Sequence, residues 1–140
     1  MTQQPVVADV TLNVMLECPD DAGQGYHLDC VLAYHRHDPF AVAMTFLTTE
    51  ESLTWTFSRD LLIEGLRAPS GDGDVCVAPA VSRDGRAVVL ISLSSPDGHL
   101  MLQARADQIA QFVERSLAMV PTGAEATHLD IDALIAQLCA

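Results

Sequence analysis

His35-Arg36-His37-Asp38 is the cluster in this 140-residue chain that most looks like a metal site. Two histidines two apart on a strand would point to one side and could share an ion. A zinc site still needs a third and a fourth ligand from elsewhere, so a polar strand end beside a turn is the plainer reading. Asp72-Gly73-Asp74 has the look of a calcium-loop fragment, but the full twelve-residue pattern ending in Glu is absent. Gly71 and Gly73 have no following Lys and do not make a phosphate loop. No Gly-x-Ser-x-Gly elbow occurs. Cys18, Cys30, Cys76 and Cys139 are irregularly spaced, with no Cys-x-x-Cys pair and no electropositive setting to lower a thiol pKa. They read as reduced thiols, with Cys30 and Cys76 packing as small hydrophobes inside apolar runs. No catalytic, metal or cofactor site is therefore expected, and the chain reads as non-enzymatic.

Binding features are the remaining candidates. Trp55 and Phe57 could form a stacking platform for bases, although alternation points both into the core. Asp38-Pro39-Phe40 is a proline turn carrying an aromatic residue, the most plausible exposed apolar anchor. Pro121-Thr122-Gly123 is the second candidate contact, because its backbone geometry calls for glycine at Gly123. Charge argues for a protein partner. Nineteen acidic residues face seven arginines and no lysine, for a net charge of −12. Phosphate backbones and anionic lipid are both bound through cations, so neither nucleic acid nor a membrane surface is expected. No run is long enough to span a bilayer, and no secretory leader is expected.

The elements that must carry these residues are mostly strands. Period-two alternation marks Val10 to Leu16, Leu28 to Tyr34, Val42 to Phe46, and Leu53 to Phe57. Ser58 can cap a short helix bearing Leu61, Leu62 and Leu66, with Gly65 as its stop. Val75 to Val81 is a fifth strand, with Pro79 marking an edge or bulge. Asp84-Gly85 and Ser95-Pro96-Asp97-Gly98 are tight turns. They flank a near-continuous apolar strand from Arg86 to Ser94, expected to be covered on both faces, and Leu100 to Ala104 returns as the seventh. The period then turns helical from Ala106 to Leu117. Asp130 caps a final helix with Ile131, Leu134, Ile135 and Leu138 on one face. Residues 1–140 thus read as one α+β domain: an antiparallel seven-stranded sheet or barrel, a short inserted helix and two C-terminal helices.

Four segments occur in an order that resembles the SsgA-like sporulation and cell-division proteins of actinobacteria. They are Asp38-Pro39-Phe40-Ala41-Val42, Trp55-x-Phe57-x-Arg59-Asp60-Leu61-Leu62-x-x-Gly65-Leu66, Pro69-x-Gly71-x-Gly73-Asp74-Val75 and Leu93-Ser94-Ser95-Pro96-x-Gly98. The resemblance runs from about Leu32 to the C-terminal helix, and the short chain without an added domain favours the SsgB-type branch. It implies a whirly-like fold, a homotrimer and a cytoplasmic, non-enzymatic protein at the division septum. It also implies a role in septum placement, through the tubulin-like division GTPase FtsZ and/or an SsgA-type paralogue. The alternative that the fold suggests is a single-stranded nucleic-acid-binding module. The sequence departs from the family pattern at Phe40, where Tyr is usual, at Cys76, where a basic residue is common, and at His35-Arg36-His37, which replaces a blander stretch.

Overall fold

Alternation in the first third of the chain becomes a four-stranded meander. A computed structural model of the chain describes residues 8–19, 25–48, 52–71, 73–128, 135, 136 and 138. β1 (Val10–Pro19), β2 (Gly25–Tyr34), β3 (Ala41–Leu47) and β4 (Ser52–Ser58) pair in chain order, each antiparallel to the last. A second meander consists of β5 (Ser70–Gly71), β6 (Val75–Val81), β7 (Ala87–Ser95) and β8 (Gly98–Arg105). β1 and β8 join them, so one curled antiparallel sheet runs β4-β3-β2-β1-β8-β7-β6-β5. Seven of these eight strands match the seven read from the sequence. The eighth is β5, whose two residues are too few to carry a period.

The core lies on the inner face, where the period of two puts Val14, Leu16, Leu32, Met44, Val77 and Ile91 out of water. Both tight turns form as their residues dictate. Gly85 sits at φ +81, and its N–H donates to Ser82 O at 3.0 Å. Gly98 pairs with Ser95 across the two-residue loop Pro96-Asp97. β7 is not equally covered on its two faces: Val89, Ile91 and Leu93 are buried, but Leu90, Ser92 and Ser94 are only half-buried.

The link from β4 to β5 carries the chain from one edge of the sheet to the other, and α1 (Arg59–Gly65) lies on that path, packed against β6. Ser58 caps it, accepting the Asp60 N–H at 3.2 Å. α2 (Ala106–Met119) packs on β1, β7, β8 and α1 through Ile109, Phe112 and Val113. A four-residue α3 (Glu125–His128) follows, unannounced by any periodicity. The helix expected from Asp130 falls mostly outside the described residues. Of its apolar face, Ile135 and Leu138 are helical and exposed.

Other expectations need correcting. His35 and His37 lie beyond the end of β2, in the turn that follows it, so no shared strand aligns them. Cys30 is buried, and burial pushes its thiol up to about 12. Cys76 is exposed, because Val75 and Val77 on either side take the inner face. Phe57 is buried as expected, but Trp55 is only half-buried against the core. Gly65 is not a left-handed helix stop: its φ is not positive, and α1 continues to a right-handed C-cap at Leu66. Its role is close approach, since a Cβ there would stand 2.3 Å from Val77 Cγ1. Gly65→Ala should therefore cost about 1–3 kcal/mol by overpacking. Urea denaturation with an unchanged midpoint would show that α1 does not rest on β6 at this point.

Candidate functional site

One arginine is folded into the interior. Arg59 is the first residue of α1, yet its side chain is 1% exposed. A guanidinium keeps its charge at any pH where the protein folds, so its burial demands compensation on every side. Nη1 donates to the Ser116 carbonyl at 3.2 Å and to the Val120 carbonyl at 2.8 Å. Ser116 lies in the last turn of α2, its carbonyl also accepting the Val120 N–H at 2.9 Å, and Val120 is the C-cap that follows; the negative end of the helix dipole there favours a cation. The guanidinium carbon lies 4.9 Å from the centroid of the Tyr34 ring, within cation–π range. Nη2 stands 3.9 Å from Glu125 Oε2. Nε and Nη2 have no hydrogen-bond partner among the described residues, so charge and ring, not a full set of hydrogen bonds, hold that side of the group.

Both contact candidates from the sequence lean on this arginine. Tyr34 is wholly buried, and its hydroxyl donates to the Pro39 carbonyl at 2.9 Å. The Arg59 backbone N–H donates to the Phe40 carbonyl at 2.8 Å. Pro39 is buried, while Asp38 is exposed and Phe40 is 49% exposed. A rigid corner thus holds an aromatic ring half in solvent. Asp38 works locally: its N–H donates to His35 O at 3.0 Å, and its own carbonyl accepts from Ala41 at 3.3 Å. On the other side, Pro121 is exposed and its carbonyl accepts the Ala124 N–H at 3.0 Å. Gly123 adopts φ +93 with open space where a Cβ would be, so its role there is conformational. Its N–H donates to Glu125 Oε1, whose other oxygen faces Arg59.

The electrostatics follow from these contacts. Glu125's own backbone N–H, the Gly123 N–H and the Arg59 charge hold its carboxyl below the usual range, against an opposing push from burial. Burial raises the Tyr34 phenol, with Arg59 working the other way. No group of three or more His, Cys, Asp or Glu side chains able to hold a metal occurs among the described residues. His35 and His37 therefore find no third ligand there. The arrangement is a clamp that fixes two loops against a helix end.

Sequence reading placed Arg59 only within a motif and gave it no role. A signal was available: a cation at the first helical position opposes the positive end of its own helix. An arginine in that place has another partner to satisfy. Arg59→Ala should cost about 3–5 kcal/mol, because it leaves the α2 carbonyls and Glu125 without their cation. The pH dependence has a definite sign. Glu125's pKa is depressed in the folded state, so its stabilisation is complete above the ordinary carboxylate range and is lost as pH falls through the folded value. Glu125→Gln should flatten this acid limb in melting temperature against pH, and an unaltered limb would remove Glu125 from the clamp.

Comparison with known proteins gives this geometry its context. The family described as Streptomyces sporulation and cell division protein, SsgA, matches residues 28–125. The sporulation-specific cell division protein SsgB of Kineococcus radiotolerans is 44% identical over 131 residues, covering 93% of this chain and 79% of the relative. SsgB of Streptomyces coelicolor is 46% identical over 110 residues, covering 78% and 80%. A solved SsgB structure, described under mutations that correlate to longitudinal cell division during sporulation of Streptomyces coelicolor, superposes with TM-score 0.81. It is 40% identical and covers 86% of this chain and 94% of that one. The SsgA-like sporulation-specific cell division protein of Thermobifida fusca also gives TM-score 0.81, at 32% identity and 91% and 93% coverage. The matched span includes Tyr34, the Phe40 corner, Arg59, the α2 terminus and Glu125, and the chain belongs to the SsgA-like family as an SsgB-type member.

Proposed function

We propose that this chain is a non-enzymatic positional adaptor of cell division, acting from the cytoplasm at the septum during sporulation. The reading starts from its relatives, which are named sporulation-specific cell division proteins. The observation that carries it on this molecule is the half-exposed Phe40 ring on a corner fixed from beneath by Tyr34 and Arg59. An aromatic anchor presented at low conformational cost suits a protein contact. In this reading the partner is FtsZ, met directly or through an SsgA-type paralogue. Phe40 and the Pro121–Gly123 loop are the contacting surfaces.

Assembly belongs to the same proposal. A homotrimer would need to bury roughly 800 Å² per partner at each contact, with the net charge of −12 per chain kept away from it. Multi-angle light scattering should return three times the 15.0 kDa chain mass, and a monomer at micromolar concentration would reject the trimer. The whirly-like single-strand reading would instead need a basic groove. Binding to single-stranded DNA should be absent at physiological salt, and sub-micromolar affinity there would favour that reading.

The functional test pairs folding with septum position. Phe40→Ala should leave the melting temperature within a few degrees of the parent, because the ring is half in solvent. A fluorescent fusion carrying it should lose its septal position and FtsZ ladders should misplace. Normal septa from a folded Phe40→Ala protein would sink the site assignment. A parent fusion that never visits the septum would sink the function.

A further inference from the structure

The two edges of the sheet are not alike. On one side β6 carries Pro79 and is covered for two residues by β5. Proline, short cover and charge are the usual means by which an edge avoids pairing with foreign strands. β4, at the other edge, has none of them. Its sequence Ser-Leu-Thr-Trp-Thr-Phe-Ser holds no charge, no proline and no glycine. It pairs with β3 in unbroken register from Ser52↔Leu47 to Ser58↔Ala41, without a bulge.

The hydrogen-bond phase of this edge can be read. The Arg59 N–H donates to Phe40 O, one step beyond the Ser58↔Ala41 pair. In an antiparallel ladder, bonded and non-bonded pairs alternate. Leu53, Trp55 and Phe57 therefore bond β3, and Thr54, Thr56 and Ser58 turn their N–H and C=O groups outward. No described strand pairs with them. Beside this row, Leu53 is 52% exposed, and half-buried Trp55 lines a cleft of about 280 Å³ with Leu93 and Leu100 on its apolar side and Ser95, Asp97 and His99 on its polar side. A strand added here would find backbone partners on its long side and a recess, apolar at Trp55, Leu93 and Leu100 and acidic at Asp97, for alternate side chains.

Charge decides what could occupy it. The chain carries Glu50 and Glu51 just before β4, and Asp60 and Glu64 just after. Arg59, the cation between these acidic residues in the sequence, is buried. A second copy, of net charge −12 like the first, would bring the same acidic flanking sequence to this edge. Like charges opposed across a ladder are destabilising. We propose that β4 is a strand-addition site for another protein, taking an extended segment with alternating apolar side chains and Lys or Arg at both ends. This surface is separate from the Phe40 corner and does not rest on the septal reading.

The probe is a fluorescein-labelled peptide of three valines alternating with threonines between paired lysines. Anisotropy should show saturable binding, with a shift in the emission of Trp55, the single tryptophan. The same peptide flanked by glutamates should bind at least ~10-fold more weakly, and Phe40→Ala should bind like the parent. Thr56→Pro removes an N–H that makes no internal bond, a placement that edge strands tolerate. It should keep the fold by circular dichroism and lose at least ~10-fold in affinity. Should that variant unfold, Leu53→Asp at the exposed side chain carries the same test. No saturation at millimolar peptide would overturn the proposal. So would equal binding of both flanked peptides, or binding unchanged by both variants. Self-association that Thr56→Pro abolishes, in place of peptide binding, would overturn it in favour of a second copy.

Discussion

A charge that cannot be neutralised sits where water cannot reach it, and much of this fold is arranged around it. Arg59 leaves α1 at the end where the helix dipole opposes it, and enters the end of α2 where the dipole favours it. The group needs the α2 carbonyls, the Tyr34 face and the Glu125 carboxylate together, because desolvating a guanidinium costs more than any one of them returns. Those partners come from β2, the C-terminal end of α2 and the start of α3. One side chain thus fixes how the tail of the chain meets the sheet. A lysine could not replace it. An ammonium is a single point charge, whereas the guanidinium sets Nη1 on two carbonyls, Nη2 3.9 Å from Glu125 and its carbon 4.9 Å from the Tyr34 ring centroid.

The topology makes this tie necessary. Each meander is held by long ladders between sequence neighbours, but the two meanders meet at β1 and β8, where the paired register is the single match Glu17↔Gln103. An exposed hydrogen bond from Gln103 to Glu17 at 3.3 Å adds little there. The layer beneath adds cohesion across the seam. α2 packs on β1, β7 and β8 together, and α1 seats Gly65 on Val77 of the second meander after leaving the first. Arg59 bonds these two helices to each other, so the same contact that neutralises its charge also holds the halves of the sheet in one curl.

Legibility in the sequence followed the range of the interaction. Strands and turns were readable because their causes are local: a period of two, a glycine at φ +81 after Asp84, a serine able to cap α1. β5 was not, since its two residues exist only by pairing with Cys76 and Val77. Gly65 was noticed and misread, because a close approach to Val77 is set by a strand that comes later in the chain. Cys76 was misassigned by treating an apolar run as uniformly buried, although Val75 and Val77 set its face by parity. The Phe40 corner and the Pro121–Gly123 loop were picked as separate surface features. That both lean on Arg59 depends on contacts across 57 and 61 residues, which no local pattern encodes.

The arginines also bear on the chemistry of any partner. Of the seven, Arg59 is buried, and Arg36, Arg86 and Arg105 lie within 4 Å of Asp9, Asp84 and Asp107. Arg115 donates to the Thr11 carbonyl at 3.1 Å. That leaves Arg67 and Arg83 without a side-chain partner among the described residues, on a molecule of net charge −12. A phosphate backbone is bound by releasing counterions against several free cations on one surface, and two do not make a groove. The exposed uncharged groups include the Phe40 ring above its clamp and the outward backbone of β4 beside Leu53 and Trp55, along with Met15, Tyr26, Leu47 and Val81 on other strands. In the readings proposed above, the Phe40 ring and the β4 edge would both serve another polypeptide, one offering a socket for an aromatic ring or an extended segment, and the surrounding acidity would favour partners with basic flanks.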